Sequence, residues 1–435
     1  MASVDADILI IGAGIGGLAL GAILRRLGVS FKVLERTETI QPVGAGISLA
    51  PNALKLLDDL GLYGEILSRG QKLKKIQIVR NRVLWNVLDW SLCETTFGYP
   101  VVSMERHEFH HILFDAAGGH DNVLLGAKVE EIVDEPNQPS VVLRLQDGRA
   151  LSGRFVVGAD GIRSVTRRIL AGSAHDKSHN TIRFTGRIHM SGITAPLATL
   201  GKENLGVANW MLYDDSILTT WPCQDNRQWF IGVKSASSSA NRDRSVWAGT
   251  SPEMIKDVYG DKYHPFAENG VFAQIVDQAD RVVASNVFEE IAFPSMSKGR
   301  VALLGDAAHS MTSFFGQGAC QAIEDAAVLG QLIQQRRNQS ASMRREKHHD
   351  FGGYTEISRM LAEFSQQREG RVKELSAFSS NFALLHMAKL PYGLGPAIRR
   401  IVYGFFPAWV WMWYLSWLYG HQPTVSGLSA GHSAL

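Results

Sequence analysis

Short apolar runs cut by glycine open the chain. Asp7 to Ile11 reads as a buried strand, Gly12 to Gly17 as a tight turn, and Leu18 to Leu27 carries apolar residues at helical spacing. Phe31 to Glu35 is a second strand, so the opening predicts the β-turn-α-β unit that begins a doubly wound sheet. Ala53 to Leu60 predicts a helix stopped by Gly61, and Arg106 to Ala117 another. Ile76 to Val79 and Leu84 to Leu88 read as strands of a different sheet. Phe155 to Gly158 and Val301 to Leu304 have the fully apolar character of buried parallel strands. Between them, Arg183 to Lys234 alternates strand-like runs, such as Ile217 to Trp221 and Trp229 to Val233, with polar breaks, which predicts an antiparallel sheet. Gln321 to Gln335 reads as a helix, and Arg336 to Asp350 as an exposed loop or helix edge.

The apolar pattern changes near the C-terminus. No charged residue occurs from Ile401 to Gly420, Arg399 and Arg400 stand just before that stretch, and Pro407 interrupts it. Trp409, Trp411, Trp413, Tyr414, Trp417 and Tyr419 crowd its second half, and such rings favour an interface over a hydrocarbon centre. A packed helix, a contact with a membrane interface and a span all remain open from the pattern.

Composition narrows the partners. The 435 residues carry 44 Lys and Arg against 42 Asp and Glu, a net charge of +2, so no basic field points to nucleic acid. Three distant cysteines, Cys93, Cys223 and Cys320, give neither a disulfide framework nor metal spacing, and a reducing, cytoplasmic compartment is expected. His107, His110 and His111 share one helix but lack the carboxylate or thiol spacing of a metal site, so no metal is expected.

The chemistry lies in three glycine-bearing segments. Gly12, Gly14 and Gly17 form G-x-G-x-x-G between strand and helix, where a diphosphate can approach exposed N–H groups. Glu35, twenty-three residues after Gly12, is placed to accept hydrogen bonds from a ribose, with Arg36 beside it. Gly158-Ala159-Asp160-Gly161 follows a second strand. Gly305-Asp306-Ala307-Ala308-His309 follows a third, and Gly316-Gln317-Gly318 then opens a helix. An Asp at a strand end can bind a sugar-alcohol hydroxyl, and a helix N-terminus beside a flavin ring would stabilise charge developing on it. His309 reads as a hydrogen-bonded structural histidine and Cys320 as core.

In this order the segments GAGIGG (12–17), GADGIRSVTR (158–167), GDAAH (305–309) and GQGACQAIEDA (316–326) resemble the single-component FAD-dependent aromatic hydroxylases and epoxidases, the p-hydroxybenzoate hydroxylase type. The resemblance covers most of residues 5–385. It implies an α/β fold: a Rossmann-type FAD-binding domain (1–75, 101–170 and 291–380) interleaved with a smaller antiparallel β-sheet substrate domain (76–100 and 171–290), plus a helical C-terminal tail (381–435). It implies FAD as cofactor, NAD(P)H as a transient co-substrate without a second Rossmann motif, and O2. The implied reaction inserts one oxygen atom, through a flavin C4a-hydroperoxide, into an aromatic, indolic or prenylated small molecule of secondary metabolism. By the same resemblance Glu35 binds the adenosine ribose, Arg106 the diphosphate region, Asp306 the ribityl chain, and the backbone of Gly318 and Ala319 the flavin edge. Asp160 belongs to the segment linked to FAD and NAD(P)H. Gly44 and Gly46, in VGAGISLAPNAL (43–54), lie close to the cofactor. The ending WLYGHQP (417–423) resembles the tail of fungal secondary-metabolite members.

Two departures alter the substrate face. Ser313 stands where many members carry Pro, and Ser191 where many carry Arg. Arg187 and Tyr213 are therefore the candidates for a direct catalytic role, and Trp210, Met211, Trp221 and Phe184 for contact with a flat substrate. Another FAD oxidoreductase class (halogenase, reductase or oxidase) and a non-catalytic FAD-fold binding protein are the competing readings.

Overall fold

The computed structural model describes residues 4–42, 44–172, 181–214, 216–236, 249–292, 295–312, 316–342, 351–387 and 391–428. Its first sheet has eight strands, and its spine is parallel: Val301–Leu303, Ala150–Gly158, Ala6–Ile11, Phe31–Leu34 and Val123–Leu124 lie side by side in that order. Ala6–Ile11 is buried at almost every position: Ile8 and Ile10 join the helical core on one face, and Leu9 and Ile11 pack on the other with Val129, Val141 and Leu143 from strands Val129–Val133 and Val141–Leu145. Helix Ile15–Arg26 follows it and packs closely on the long helix Gln317–Ser342. Gly16 permits that approach: a Cβ there would lie 2.3 Å from Leu304 Cδ2 and 3.1 Å from Ala322 Cβ.

The second sheet has seven strands in the order Ala279–Glu290, Ile182–Thr194, Gln228–Ser235, Ser216–Pro222, Val207–Leu212, Lys75–Arg80 and Val83–Asp89. It is antiparallel except where Val207–Leu212 pairs with Lys75–Arg80 in parallel. A strand sends alternate side chains to opposite faces. Ile188, Met190, Met211 and Phe230 thus join one apolar cluster with Tyr259 and Phe272. Trp210, Ile217 and Val233 join the main core on the other face. A third, three-stranded sheet (Gly46–Leu49, Val102–Glu105 and Gln71–Lys72) lies against the second, and Glu105 ties those two together by accepting from Arg227 and Arg281 at 3.0 Å each.

Two expectations about helix ends change. The helix expected over Gln321 to Gln335 runs from Gln317 to Ser342. Gly316, at φ +66°, stands just before its first residue, and the Gln- and Arg-rich stretch after Gln335 continues the helix because those residues are good helix formers. Of the segment read as an exposed loop or helix edge, the part up to Ser342 is the helix's end, and 343–350 lies outside the described residues. The C-terminal apolar stretch forms two helices, Gly395–Phe405 and Ala408–Tyr419, broken at Pro407. At a rise of about 1.5 Å per residue, neither matches the roughly 30 Å of a bilayer core. Among the described residues no helix is long and apolar enough to cross a membrane. Arg371 pins the tail by donating to the carbonyls of Trp417 (3.1 Å) and Leu418 (3.0 Å), near the end of the second helix.

His264 supports the second sheet's far face as a neutral ring. Its Nδ1 accepts from the Phe266 N–H at 3.1 Å, which leaves the proton on Nε2 to be donated to Thr220 Oγ1 at 3.0 Å. Burial pushes its pKa from 6.5 down to about 3. The unfolded chain protonates below pH 6.5 while the folded one resists, so stability from this group is complete above that pH and falls as pH drops toward 3. Each pH unit in that window should cost up to about 1.4 kcal/mol. Melting temperatures between pH 7 and pH 5 should fall less steeply in His264→Asn than in the parent; equal slopes would remove His264 from the account.

Candidate active site

Three crossings of the first sheet build the site. Ile11 pairs with Gly158, and Gly158 with Leu303, all in parallel strands. The turns that follow leave the sheet at one edge and line a single cleft of about 390 Å³. Gly14, Ile15 and Gly16 come from the first turn; Ala159 and Gly161 from the second; Leu304, Gly305 and Asp306 from the third. Gly316, Gly318 and Ala319 bring the start of the long helix, and Gly46, Ile47 and Ser48 bring a further strand. Trp229 and Ile231 close the cleft from the second sheet.

The glycines are required by space and backbone. Gly12 has φ +105°, and a Cβ on it would lie 2.5 Å from the Ala159 carbonyl oxygen. A Cβ on Gly17 would lie 2.1 Å from the Gly12 oxygen. By contrast, one on Gly318 would meet nothing within 4 Å, because that position faces the open cleft. A Cβ on Gly46 would enter the Trp229 ring, which packs directly on the Gly46 backbone. Gly44, at φ +75°, lies against Arg106, whose Cδ would be 3.2 Å from its Cβ.

Glu35 ends its strand as expected and ties the glycine turn in place. Its Oε2 accepts from the Ala13 N–H at 3.0 Å, and its Oε1 from the Thr37 N–H at 3.0 Å and the Thr37 hydroxyl at 3.1 Å. A carboxylate has about four acceptor sites, so capacity for a sugar hydroxyl remains. Arg36 lies exposed beside it. Arg106 and His110, one turn apart on Arg106–Ala116, face the same region: His110 Nε2 donates to the Ala13 carbonyl at 2.6 Å. Burial lowers the Arg106 pKa, with Asp306 opposing. Asp306 is open to the cleft yet walled closely by protein; this desolvation raises its pKa, while His309, Arg106 and Arg167 pull it back.

The Asp160 side chain is engaged within its own turn. Its carboxylate accepts from the Val165 N–H (2.7 Å), the Thr166 N–H (3.1 Å) and the hydroxyls of Ser164 and Thr166, holding the N-terminus of helix Val165–Leu170. The backbone of Ala159 and Gly161 lines the cleft in its place. Arg167, buried on that helix, donates to the carbonyls of Ala307 (2.9 Å) and Ile162 (2.7 Å), and so joins the second segment to the third.

Sequence reasoning missed the support beneath the long helix. His309 Nε2 meets Asp325 Oδ2 at 2.6 Å, and the same oxygen accepts from the Gly305 N–H at 2.8 Å. Arg368 donates to Asp325 (2.6 Å) and to Glu324 (2.9 Å), Arg371 adds two bonds to Glu324, and Asn52 donates to Glu324 and Gln317. Burial opposes the charge on Asp325, but His309, Arg368 and the Gly305 N–H outweigh it and hold the carboxyl well below its usual range. The available signal was two acids inside the apolar helix ACQAIEDAAVL.

The catalytic candidates fare unequally. Tyr213 packs with the apolar cluster on the sheet face turned from the cleft, and its hydroxyl donates to the Tyr263 carbonyl at 3.3 Å. That placement argues against its direct role. Met211 faces the same way, since it neighbours Trp210 on one strand, and Phe184 packs against Phe288. Arg187 shares the cleft-side face with Ser191, which pairs with Ile231 at the cleft wall, but stands four residues farther along, about 13 Å. Burial lowers its pKa, with Glu289 opposing. Trp210 and Trp221 do face the cleft side: Trp221 stacks on Trp229 at 5.6 Å and Trp210 lies 6.2 Å from Trp221. Ser313 lies outside the described residues. His107 and His111 contact each other at 3.1 Å.

The residues fit FAD: two glycines cradle a close approach, the Asp306 carboxylate lines the cleft, Glu35 holds the glycine turn that borders it, and helix N–H groups at Gly318 and Ala319 open toward it. Comparison with known proteins agrees. The profile of the FAD binding domain family matches residues 5–347. The FAD-dependent monooxygenase pynG of Aspergillus niger is 48% identical over 434 residues, covering 96% of each chain. The FAD-dependent monooxygenase pytG of Aspergillus terreus is 52% identical over 270 residues, 61% of this chain and 80% of that one. The fold matches that of Klebsiella pneumoniae HpxO, solved with FAD and uric acid, at a TM-score of 0.77 and 21% identity over 96% of this chain and 97% of that one.

Asp306→Ala should weaken FAD binding by roughly ten- to a hundred-fold, the loss of charge-assisted hydrogen bonds, and Arg106→Ala by less. Tyr213→Phe should leave it unchanged. Titration of the apoprotein with FAD reads all three, and an undiminished affinity in Asp306→Ala would refute the role given to that carboxylate.

Proposed function

Because the chain belongs to the FAD binding domain family, as one of its FAD-dependent monooxygenases, we propose that it uses NAD(P)H and O2 to insert one oxygen atom into an aromatic, indolic or prenylated small molecule of secondary metabolism. The observation carrying this reading is the convergence of three separated glycine-bearing turns on one cleft whose outer wall is aromatic. Bound FAD supplies the redox chemistry, taking two electrons from NAD(P)H and activating O2. The balance is substrate, O2, NAD(P)H and a proton giving oxygenated product, NAD(P)+ and water.

The chain's residues divide the remaining tasks. Gly12, Gly14 and Gly17 admit the diphosphate to the helix N-terminus, with Arg106 as its counter-charge. Glu35 takes the adenosine ribose and Asp306 the ribityl chain. The Gly318 and Ala319 N–H groups, at the start of a long helix, stabilise negative charge on the ring's pyrimidine side. Trp229, Ile231 and Met311 exclude water. Trp210 and Trp221 extend that wall and suit a flat, apolar substrate. Arg187, on the same sheet face, reaches a polar end of a long substrate. In this reading residues 1–75, 101–170 and 291–380 act as the cofactor unit, 76–100 and 171–290 as the substrate unit, and 381–435 as a C-terminal helical segment. Three buried free thiols suit the reducing cytoplasm.

NAD(P)H consumption should rise when a panel of phenols, indoles and prenylated aromatics is offered, and heavy-isotope O2 should place one labelled atom in product. Product that forms without label, or only with chloride, would sink the oxygenase reading in favour of another flavin chemistry.

A further inference from the structure

Thirteen large hydrophobic side chains are exposed among the described residues, and nine of them lie between Leu384 and Tyr414. Three more sit on the edge strand Val83–Asp89. These two groups form one surface. Helix Gly395–Phe405 packs on that strand, Asn86 Nδ2 donates to the Phe406 carbonyl at 2.9 Å, and the Arg400 guanidinium lies 4.5 Å from the Trp85 ring and 5.1 Å from Phe405. Monomeric proteins rarely expose so contiguous an apolar face without a use for it.

The chemistry of the face indicates its occupant. Trp413 is 74% exposed, Trp409 67% and Phe405 66%, although each is large enough to contribute heavily to a core. Tryptophan and tyrosine gather where one side of a ring is apolar and the other wet. No Asp or Glu occurs from Met387 to Leu435. The exposed charges within the face are the cations Arg82 and Arg400; the acid Asp214 nearby is paired with Arg80 at 2.5 Å, and Asp89 lies at the far end of the edge strand. An apolar cavity of about 260 Å³, lined by Phe382, Val402, Phe406, Val410 and Trp413 among others, runs between helices Tyr354–His386, Gly395–Phe405 and Ala408–Tyr419. A second copy suits this face poorly. Twofold pairing sets a patch against itself, and the acids at this one's edge are already engaged, Asp214 with Arg80, or stand at the far end of the strand, as Asp89 does.

We propose that this face docks on the surface of a phospholipid bilayer. The two short helices lie along the headgroup boundary, Trp409 and Trp413 enter it, the cavity takes an acyl chain, and Arg82 and Arg400 meet lipid phosphates. The helices are too short to span, so the contact is one-sided. The same face reaches the cleft wall through packed rings: Trp411 lies 6.5 Å from Trp210, which leads through Trp221 to Trp229. Lipid docking does not depend on the oxygenation reading, and it is measured without turnover.

The test is flotation of the full-length holoenzyme with phosphatidylcholine vesicles, with and without phosphatidylserine. The parent protein should rise with phosphatidylcholine alone and more completely when phosphatidylserine is present. Trp409→Ser/Trp413→Ser should lower partitioning by roughly ten-fold or more, with FAD content and melting temperature unchanged. Should that variant lose flavin or melt early, Val83→Ser/Leu84→Ser, on the other side of the face, replaces it with a loss in the same direction. The proposal is overturned if the parent stays at the bottom with both vesicles, or if folded variants float as well as the parent. It is equally overturned if light scattering shows a parent dimer that the tryptophan variant makes monomeric.

Discussion

Ile11 is in register with Gly158, and Gly158 with Leu303, so the chain leaves the parallel sheet three times at one edge. Strand pairing fixes that meeting over separations of roughly 150 residues each, where no local interaction could. Each exit must then stay thin enough for the others to approach. Gly12 rests on the Ala159 carbonyl, Gly17 on Gly12, and Gly305 on Ala322. A side chain at the first two of these points would push apart the turns that form the cleft.

Close approach alone would leave the turns loose, and buried polar bonds lock them. Arg167 fastens the second turn to the third through carbonyl oxygens. Asp325 fastens the third turn to the long helix by taking the Gly305 N–H and His309 together. Two buried carboxylates, Glu324 and Asp325, would be costly by themselves, and Arg368 and Arg371 compensate them from helix Tyr354–His386. The start of the long helix is thus held by a helix much later in the chain. That helix in turn carries the tail, since Arg371 also binds the Trp417 and Leu418 carbonyls.

The parallel strands and the glycine turns were legible because their signal is local: an apolar run, then glycine, then helical spacing. The meeting of the three segments at one cleft was legible for the same reason, since their motifs carry their geometry with them. Side-chain use was harder to read. Asp160 looks like a ligand in sequence, yet its carboxylate caps the helix that follows it. Trp210 and Met211 look like one aromatic wall, yet neighbours on a strand face opposite ways, and Tyr213 follows Met211. The face each takes depends on register with Ser216–Pro222 and Lys75–Arg80, a pairing between distant segments. Trp229 escaped notice because its place over Gly46 is set where the second sheet meets the small three-stranded one, and nothing in its own neighbours records that contact. The tail divides at Pro407, as its sequence marks, but the partner that pins it, Arg371, is remote.

The account stands or falls on these three turns forming one flavin cleft. The most direct measurement is the stoichiometry and affinity of FAD binding to the apoprotein, taken for the parent chain and for Gly17→Val, which places a side chain where a Cβ would already lie 2.1 Å from the Gly12 oxygen. The parent should bind one FAD per chain, and a folded Gly17→Val should bind it far more weakly. A parent chain that takes up no FAD, or a valine variant that binds it as tightly, would contradict the account.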